Sequence, residues 1–587
     1  MQAVEKHGAG PFGRHDFVPV VPGPPASRRV EMDRAVERLR ENAPAFASLS
    51  LEERIALIDE ILGGVLRVAE ASVAASCRAK GLTAGTSLEG EEWASGPMVV
   101  VRQLRLHRES LGSLKTRGNT PVGPVRHLPG GQLAVQVFPM SRLDGMLLRG
   151  VAAEAILEEG VGEAELSEGR APFYRSCRHE GKVVLILGAG NIAAIPSTDV
   201  LTKMFNEGKV CALKMNPVNA YLGPFIEEAF AAAIKRNFLA VLYGGAEEGG
   251  YLCGHEGVDE VHITGSDGTY DELVWGPPGP HRAARKEAGA PLLTKKITSE
   301  LGNVSPVILV PGPYSDRELW YQAGDLAGSA TLNASFLCNT GKILVTGRKW
   351  QGRVPFIRQL QDFLARIPTR GAYYPGAEER WQRFTKGPYR LRTFGGSGGG
   401  RLPWTLATWI DPEGEAVPLF QKESFCPVIG ETSVASADPE EFLEEAVRFV
   451  NRRLWGTLSA TLIVHPSTMK DPVLAVAVEK AVSRLRYGVV GINGYPGMAY
   501  ALGTPPWGAW QGSSPEDIQS GHGWVHNTSM IEKVEKVVCR HPLTAFPRPP
   551  YFPGHRNFQT LMRRMTVLEA SASWARVPGV VAAAIRG

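Results

Sequence analysis

From Lys182 onward the chain alternates short, wholly apolar runs with amphipathic stretches. That rhythm constrains the fold more than any other feature. VVLILGAGN (183–191) reads as a buried strand entering a Gly-rich turn, and 196–207 reads as a helix. VCALKMN from Val210 is a second buried strand, 221–236 an amphipathic helix and FLAVLYGG from Phe238 a third strand. GVDEVHITGS (257–266) supplies a fourth strand and its turn. Apolar strands separated by helices imply a parallel sheet wound on both faces. Residues 276–291 break the rhythm and read as a surface insertion. KKITSELGNVSPVILV (295–310) restarts it, and a second α/β region runs to about Thr504.

A chain of 587 residues exceeds one ordinary core, so two or three domains are expected. The pattern divides into 1–295 (N-terminal helices and the first α/β unit), 296–505 (the second) and 506–587 (a return to the first unit and a C-terminal extension). The first 30 residues are rich in Pro and Gly and read as extended. Over 31–75 the pattern is helical: Leu51, Ile55, Ile58 and Leu62 recur at spacings of three and four, widened by Leu57 and Ile61. Ser50 followed by Glu53 reads as a capping box. A short strand is expected at 133–137, a flexible loop at GGSGGGR (395–401) and a strand at 531–539, followed by a Pro-rich stretch and a helix.

The net charge of +4 is too dilute to argue for nucleic acid or an anionic membrane. The cysteines are Cys77, Cys177, Cys211, Cys253, Cys338, Cys426 and Cys539; their odd, scattered placement fits a reducing compartment, and no Cys/His spacing suggests a metal. With no signal-like N-terminus and no apolar run long enough to span a bilayer, a cytoplasmic protein is expected.

Gly188, Gly190 and Ala193 fit GxGxxA between a strand and a helix, the spacing that lets backbone approach a pyrophosphate at a helix N-terminus. The acidic residue that should follow on the second strand is missing, and Lys214 stands near that strand's end. A plain strand-to-helix turn fits the same residues.

A fuller set of motifs resembles the aldehyde dehydrogenase superfamily, in order, over roughly residues 30–540. Asn191 followed by Lys214 has the spacing of the family's oxyanion Asn and its adenosine-ribose Lys. ITGS (263–266) resembles the turn that meets the cofactor phosphates, ELGN (300–303) the motif carrying the general base, and Cys338 in NASFLCNTGKILV falls where the nucleophile follows. KESFCPV (422–428) resembles the segment whose second acid holds the nicotinamide ribose, and VVGINGYPG (489–497) a late strand with a Val-Asn pair, here Ile492-Asn493.

The resemblance implies two doubly wound parallel α/β domains with an oligomerisation strand, Cys338 as nucleophile, Glu300 as general base and Asn191 as oxyanion donor. It implies a site for NAD or NADP formed by Lys214, Asn216, Gly245, Thr264, Gly265, Ser266, Leu301, Gly302, Glu423 and Phe425. Pro217 stands where NAD-preferring relatives carry an acid, so NADP becomes plausible. An oligomerisation hairpin is expected near 161–182, and a strand near 531–539 adding to a neighbour's sheet, giving a homodimer or homotetramer. The partner is a small-molecule aldehyde. Asn303 and Cys426 depart from the family's glycines.

Ordinary roles fit several of these residues too. Asn191 and Ser266 could be plain helix caps, Cys338 a buried small hydrophobe, Lys214 a strand-end lysine and Glu300 a solvated carboxylate. His255, His262 and His541 read as structural or surface groups. Trp507 and Trp510 fit a substrate tunnel or loop packing equally. Three alternative functions remain: an NADPH-dependent acyl-thioester (acyl-CoA) reductase of the same superfamily, against which Glu300 argues; a non-catalytic relative; and an ordinary Rossmann dehydrogenase, which has no use for Cys338.

Overall fold

The apolar runs from Lys182 become the strands of a six-stranded sheet in the computed structural model, which describes residues 21–176 and 179–587. Its strands are β1 (Val183–Leu187), β2 (Val210–Lys214), β3 (Leu239–Leu242), β4 (Glu260–Thr264), β5 (Lys296–Glu300) and β6 (Gly521–His522), in the spatial order β6-β5-β4-β1-β2-β3. The first five are parallel, and β6 pairs antiparallel to β5. The chain moves outward from β1 through β2 to β3, then returns to the other side of β1 for β4 and β5. The switch point therefore lies between β1 and β4, where open α/β sheets place ligands beyond the carboxyl ends of their strands. Because β5 belongs to this sheet, the first unit extends through Glu300 rather than ending at residue 295.

The helices follow local sequence logic. Ser50 and Glu53 cap each other reciprocally at the start of Leu51–Ala79, and Leu57, Ile58 and Ile61 form that helix's buried centre. Helix α1 (Ile195–Phe205) opens with Pro196 in its first turn and crosses over the sheet from β1 to β2. The stretch read as an insertion contains an exposed helix, Pro280–Ala288, with Pro at its start and Gly289 in a left-handed conformation (φ 58°) just past its end.

The second unit is built on an eleven-stranded sheet. A parallel core of Val489–Ile492, Ser459–Ile463, Ser305–Leu309, Gly341–Gly347, Val428–Val434 and Trp404–Ile410 is closed at one edge by the antiparallel strand Arg390–Phe394. At the other edge, Val534–Arg540 pairs parallel to Val489–Ile492 and antiparallel to Ala152–Leu157.

Two expectations are corrected here. The strand expected to join a neighbour's sheet is paired on both sides within its own chain, so it offers no free edge to a partner. The hairpin lies at Leu133–Phe138 and Ala152–Leu157 rather than near 161–182. That later stretch instead holds the helices Glu163–Glu168 and Pro172–Arg175. Its EAELSE run is made largely of helix formers, and Glu165 accepts from the Gly162 N–H at 2.8 Å to cap the first turn. Cys177 falls outside the described residues.

Candidate active site

Cys338 is reached by a tightly specified loop. The preceding helix, α2 (Asp316–Thr331), stops at Thr331. Asn333, Ala334 and Ser335 then take left-handed conformations (φ 49°, 53° and 73°). Such residues cost of order 1–3 kcal/mol each and persist only where surrounding contacts fix them. Here the contacts are explicit. The Asn333 N–H donates to Glu91 at 2.9 Å, and its side-chain amide donates to the Asn191 and Phe336 carbonyls at 3.0 Å. Buried Lys342 donates to Ser335 Oγ at 2.8 Å and to the Cys426 carbonyl at 3.0 Å, tying this loop to the 422–428 loop. None of Glu91, Asn333 or Lys342 carries a sequence signal of such a role, because each acts by holding backbone.

The thiol of Cys338 lies 3.6 Å from Glu300 Oε1 at the carboxyl end of β5. Asn191 arrives from the turn after β1, and its amide donates one hydrogen to the Phe336 carbonyl at 3.0 Å, leaving a second available two residues from Cys338. The three residues read as a catalytic set are thus brought together from three separate elements. Burial pushes the Glu300 carboxyl up to about 8, helped by the negative charge of Asp199 and opposed by the nearby Trp507 indole and the Cys338 thiol. Trp507 is 1 % exposed, and its indole nitrogen has no hydrogen-bond partner of good geometry among the described residues. Burial, together with the carboxylates of Glu300 and Glu423, also holds the Cys338 thiol well above the ordinary thiol range. Cys338 is therefore held as a thiol, and acting as a nucleophile would require a base.

The residues read as cofactor-binding gather along the carboxyl edge of the first sheet. Lys214 ends β2 and is 8 % exposed; burial lowers its ammonium to about 8, and its Nζ makes no hydrogen bond or ion pair within the described residues. Asn216 accepts from the Val218 N–H at 3.0 Å, and its Oδ1 would lie 2.6 Å from a Cβ on Gly190. That side chain fills the space over Gly190 that an ordinary Rossmann pyrophosphate needs. Gly245 precedes the helix Ala246–Gly254, its N–H bonded to Glu248 at 2.6 Å. Gly265 is exposed at the turn after β4, and Ser266 caps Asp267–Trp275 through the Thr269 N–H at 3.1 Å. The Thr264 hydroxyl turns away from this edge to Asp199, at 2.9 Å.

Leu301 is core, 1 % exposed. Gly302 is needed sterically, since a Cβ there would stand 2.3 Å from Glu423 Oε2. Glu423 is half-buried, with its Oε1 enclosed and lacking a hydrogen-bond partner among the described residues; burial raises its carboxyl and Lys342 opposes that. Phe425, at φ 39°, packs against Tyr374 and Phe336 at ring separations of 4.9 and 5.8 Å. Asn303, which might have crowded this edge, points into the interior and donates to Ser305 Oγ and the Ser459 carbonyl at 2.8 Å.

The C-terminal extension docks on its own chain. Tyr551 donates to Asp325 on α2 at 2.9 Å and packs edge-on against Tyr495, whose hydroxyl is 2.5 Å from Asn339 Oδ1, next to Cys338. The extension thus backs the catalytic loop.

No family model and no curated protein sequence matches the chain. Solved structures do. A NAD-dependent aldehyde dehydrogenase from Sinorhizobium meliloti superposes with a TM-score of 0.57 at 16% identity, over 88% of this chain and 87% of that one. An NADP-dependent glyceraldehyde-3-phosphate dehydrogenase from Bacillus halodurans C-125, complexed with NADP, gives 0.58 at 16% identity, over 88% and 92%. The indole-3-acetaldehyde dehydrogenase AldA of P. syringae gives 0.54 at 19% identity, over 86% and 88%. The fold is that of the aldehyde dehydrogenases. The two parallel α/β units match the fold class read from the sequence, and the aldehyde dehydrogenase fold accounts for why Asn191, Glu300 and Cys338, far apart in the chain, converge.

Proposed function

We propose that this chain oxidises an aldehyde to a carboxylic acid, with NAD or NADP as hydride acceptor. The observation that carries the reading is the Cys338 thiol 3.6 Å from a buried carboxyl, Glu300, beside the amide of Asn191. Ionised Glu300 takes the thiol proton as sulfur attacks the aldehyde carbon, and the carbonyl electron pair moves to oxygen. Asn191 Nδ2 and the Cys338 backbone N–H stabilise that oxyanion, each such donor being worth about 3 kcal/mol. Bound NAD or NADP supplies a hydride acceptor at the adduct. Glu300 then takes a proton from water as the water attacks the Cys338 thioester; the C–S bond breaks, the sulfur is regenerated and the acid leaves.

The cradle suits a dinucleotide. Among the described residues, Lys214 is a buried ammonium with no hydrogen bond or ion pair, and Glu423 Oε1 is an enclosed acceptor with no donor. Both are costly unless a ligand completes them. Lys214 would hold a ribose hydroxyl and Glu423 the ribose at the other end, with the Gly265-Ser266 turn at the phosphates. The aldehyde, the free acid as product and a cytoplasmic setting belong to the same reading. The last is supported by six free cysteines among the described residues.

The direct test mixes purified protein with a panel of aldehydes and either NAD or NADP and follows the absorbance of reduced cofactor. No turnover with any aldehyde, combined with reduction of an acyl-CoA by NADPH, would replace this reading with the reductase.

Three further results are expected. Glu300→Gln should lower steady-state turnover at least about 10²-fold while keeping a first-turnover burst of reduced cofactor at high pH, where hydroxide can take the thiol proton in place of Glu300 and deacylation is left without its base. Because Glu300 must be ionised and burial holds it up to about 8, wild-type turnover should rise as pH increases from 7 and level off above about 8. A flat profile across that window would contradict the assignment. Lys214→Met should weaken cofactor binding about 10- to 100-fold, the worth of a hydrogen bond to a charged group, measured by fluorescence titration. It should leave thermal stability unchanged or raised, because an unpaired buried ammonium is removed.

A further inference from the structure

Parallel sheets covered on both faces are ordinarily apolar throughout, and β1 obeys this rule as VVLIL. β4 breaks it on one face, and β5 breaks it on the same face at every position, with Ser299 the one polar residue on its other face. Their register pairs Glu260 with Lys296, His262 with Thr298 and Thr264 with Glu300, so alternate positions on the shared face are polar along both strands. Helix α1 covers that face with Asp199, which is fully buried. Asp199 Oδ2 accepts from the Thr264 hydroxyl at 2.9 Å and lies 3.5 Å from His262 Nε2. His262 Nδ1 is 2.8 Å from Thr298 Oγ1. Asp199 Oδ1 has no hydrogen-bond partner among the described residues, an expensive vacancy inside a sheet–helix interface unless it serves a purpose.

The ladder has a buried end and a wet end. Glu300 is 4 % exposed, His262 2 %, Thr298 half-buried and Lys296 exposed. Thr298 and Lys296 line an open cleft of about 930 Å³ at the amino edge of the sheet, together with Lys182, Lys209, Glu260 and His522. Glu300 itself meets Cys338 on one side and the Trp507 indole close by. In each turnover the proposed chemistry loads it first with the thiol proton, which must leave before Glu300 can act again, and then with a water proton, which returns to the departing sulfur to restore the thiol.

We propose that Thr264, Asp199, His262 and Thr298 form a proton exit from Glu300 to the cleft on the opposite edge of the sheet. Glu300 gives its proton to the Thr264 hydroxyl, its in-register neighbour, as that hydroxyl passes its own to Asp199. Asp199 returns it to His262 Nε2, and His262 releases the proton on Nδ1 through Thr298 to cleft water. The net change is one proton moved; His262 is left with its proton on Nε2 and the Thr264 hydroxyl is left reversed, so a turn of each resets the path before the next proton. The groups facing this path are Cys338 and Trp507 at Glu300, Tyr500 through Thr198 beside Asp199 (2.8 Å), and Lys209, Glu260 and Lys296 at the cleft. His262 acts through Glu300 and is a positioning and relay residue rather than a catalytic one.

The inference rests on Glu300 being the deacylating base, so its test should not need hydride transfer. Hydrolysis of p-nitrophenyl acetate without cofactor meets that condition: acylation of Cys338 gives a burst of nitrophenolate, and the steady state reports deacylation. His262→Gln keeps a hydrogen-bonding side chain but no titrating ring, and Thr298→Val removes the last hydroxyl at nearly constant volume. Both should keep the burst amplitude and lose about 10-fold or more in the steady state. His262→Gln should also show a larger solvent deuterium isotope effect and partial recovery with added imidazole. Folding is checked by circular dichroism. Steady-state rates within about two-fold of wild type, or equal losses of burst and steady state, would overturn the exit path. Absence of a burst in the wild-type protein would overturn both the path and the base assignment. Ester results as expected beside no aldehyde oxidation would keep the path and remove the dehydrogenase reading.

Discussion

Cys338→Ala is expected to lower aldehyde oxidation by at least about 10⁴-fold while leaving cofactor binding intact. The expectation follows from geometry. An aldehyde does not give up hydride readily, whereas a sulfur adduct does, and Cys338 is the half-buried thiol beside the carboxyl of Glu300. Cys426, the nearest competitor by sequence motif, is fully buried, and its carbonyl receives Ser335 and Lys342. Cys539 is also buried, with its sulfur against His541 at 3.3 Å. Neither can take over. Because Cys338 is a raised-pKa thiol, iodoacetamide should modify it slowly at neutral pH and faster above pH 8, and the Ala variant should lose that alkylation. A variant that retained more than about a hundredth of wild-type activity would mean that another nucleophile, or none, operates.

The parts of this site legible in the sequence were those carried by short motifs with fixed local geometry. The strand-to-turn transitions ending at Gly188, Lys214, Thr264 and Glu300 declare themselves because apolar runs stop abruptly at polar or Gly residues. Those stops fall at one edge of a parallel sheet by topology alone. What stayed hidden depends on tertiary placement. No Gly announces the left-handed backbone of Asn333, Ala334 and Ser335; contacts from Glu91, Lys342 and Asn191 impose it. The strand Val534–Arg540 is a plain apolar run that fits a neighbour's sheet or its own, and only the position of the Ala152–Leu157 strand decides between them. His262 looked structural because a lone His in a strand gives no hint of the Asp199 above it and the Thr298 beside it. Thr264 belongs to a motif associated with cofactor, yet its hydroxyl serves the interior.

Glu569→Ala should destabilise the protein by about 3–5 kcal/mol, the usual cost of stripping one partner from a buried ion pair. Glu569 is 3 % exposed on the C-terminal helix α3 (Phe558–Ser571). Its Oε1 accepts from Arg102 at 2.6 Å, and its Oε2 from Arg105 at 2.7 Å. Arg102 also holds Asp144 at 2.9 Å and the Leu502 carbonyl at 2.8 Å, so one network joins the N-terminal helices, the segment before the hairpin's second strand and the C-terminal extension. Removing Glu569 leaves two guanidinium groups, each about 5 % exposed, sharing one fewer carboxylate. The loss should appear as a lower urea midpoint. Glu569→Gln should fall between, because it keeps hydrogen-bond acceptance and loses charge. The consequence should reach the active site, since α3 anchors the stretch carrying Tyr551, which packs on Tyr495 beside Asn339 and Cys338. Near the midpoint, loss of activity should precede global unfolding. A destabilisation below about 1 kcal/mol would show instead that the extension is held by apolar packing of Leu561 and Leu568 alone, with the ion pairs contributing no more than a solvated surface pair.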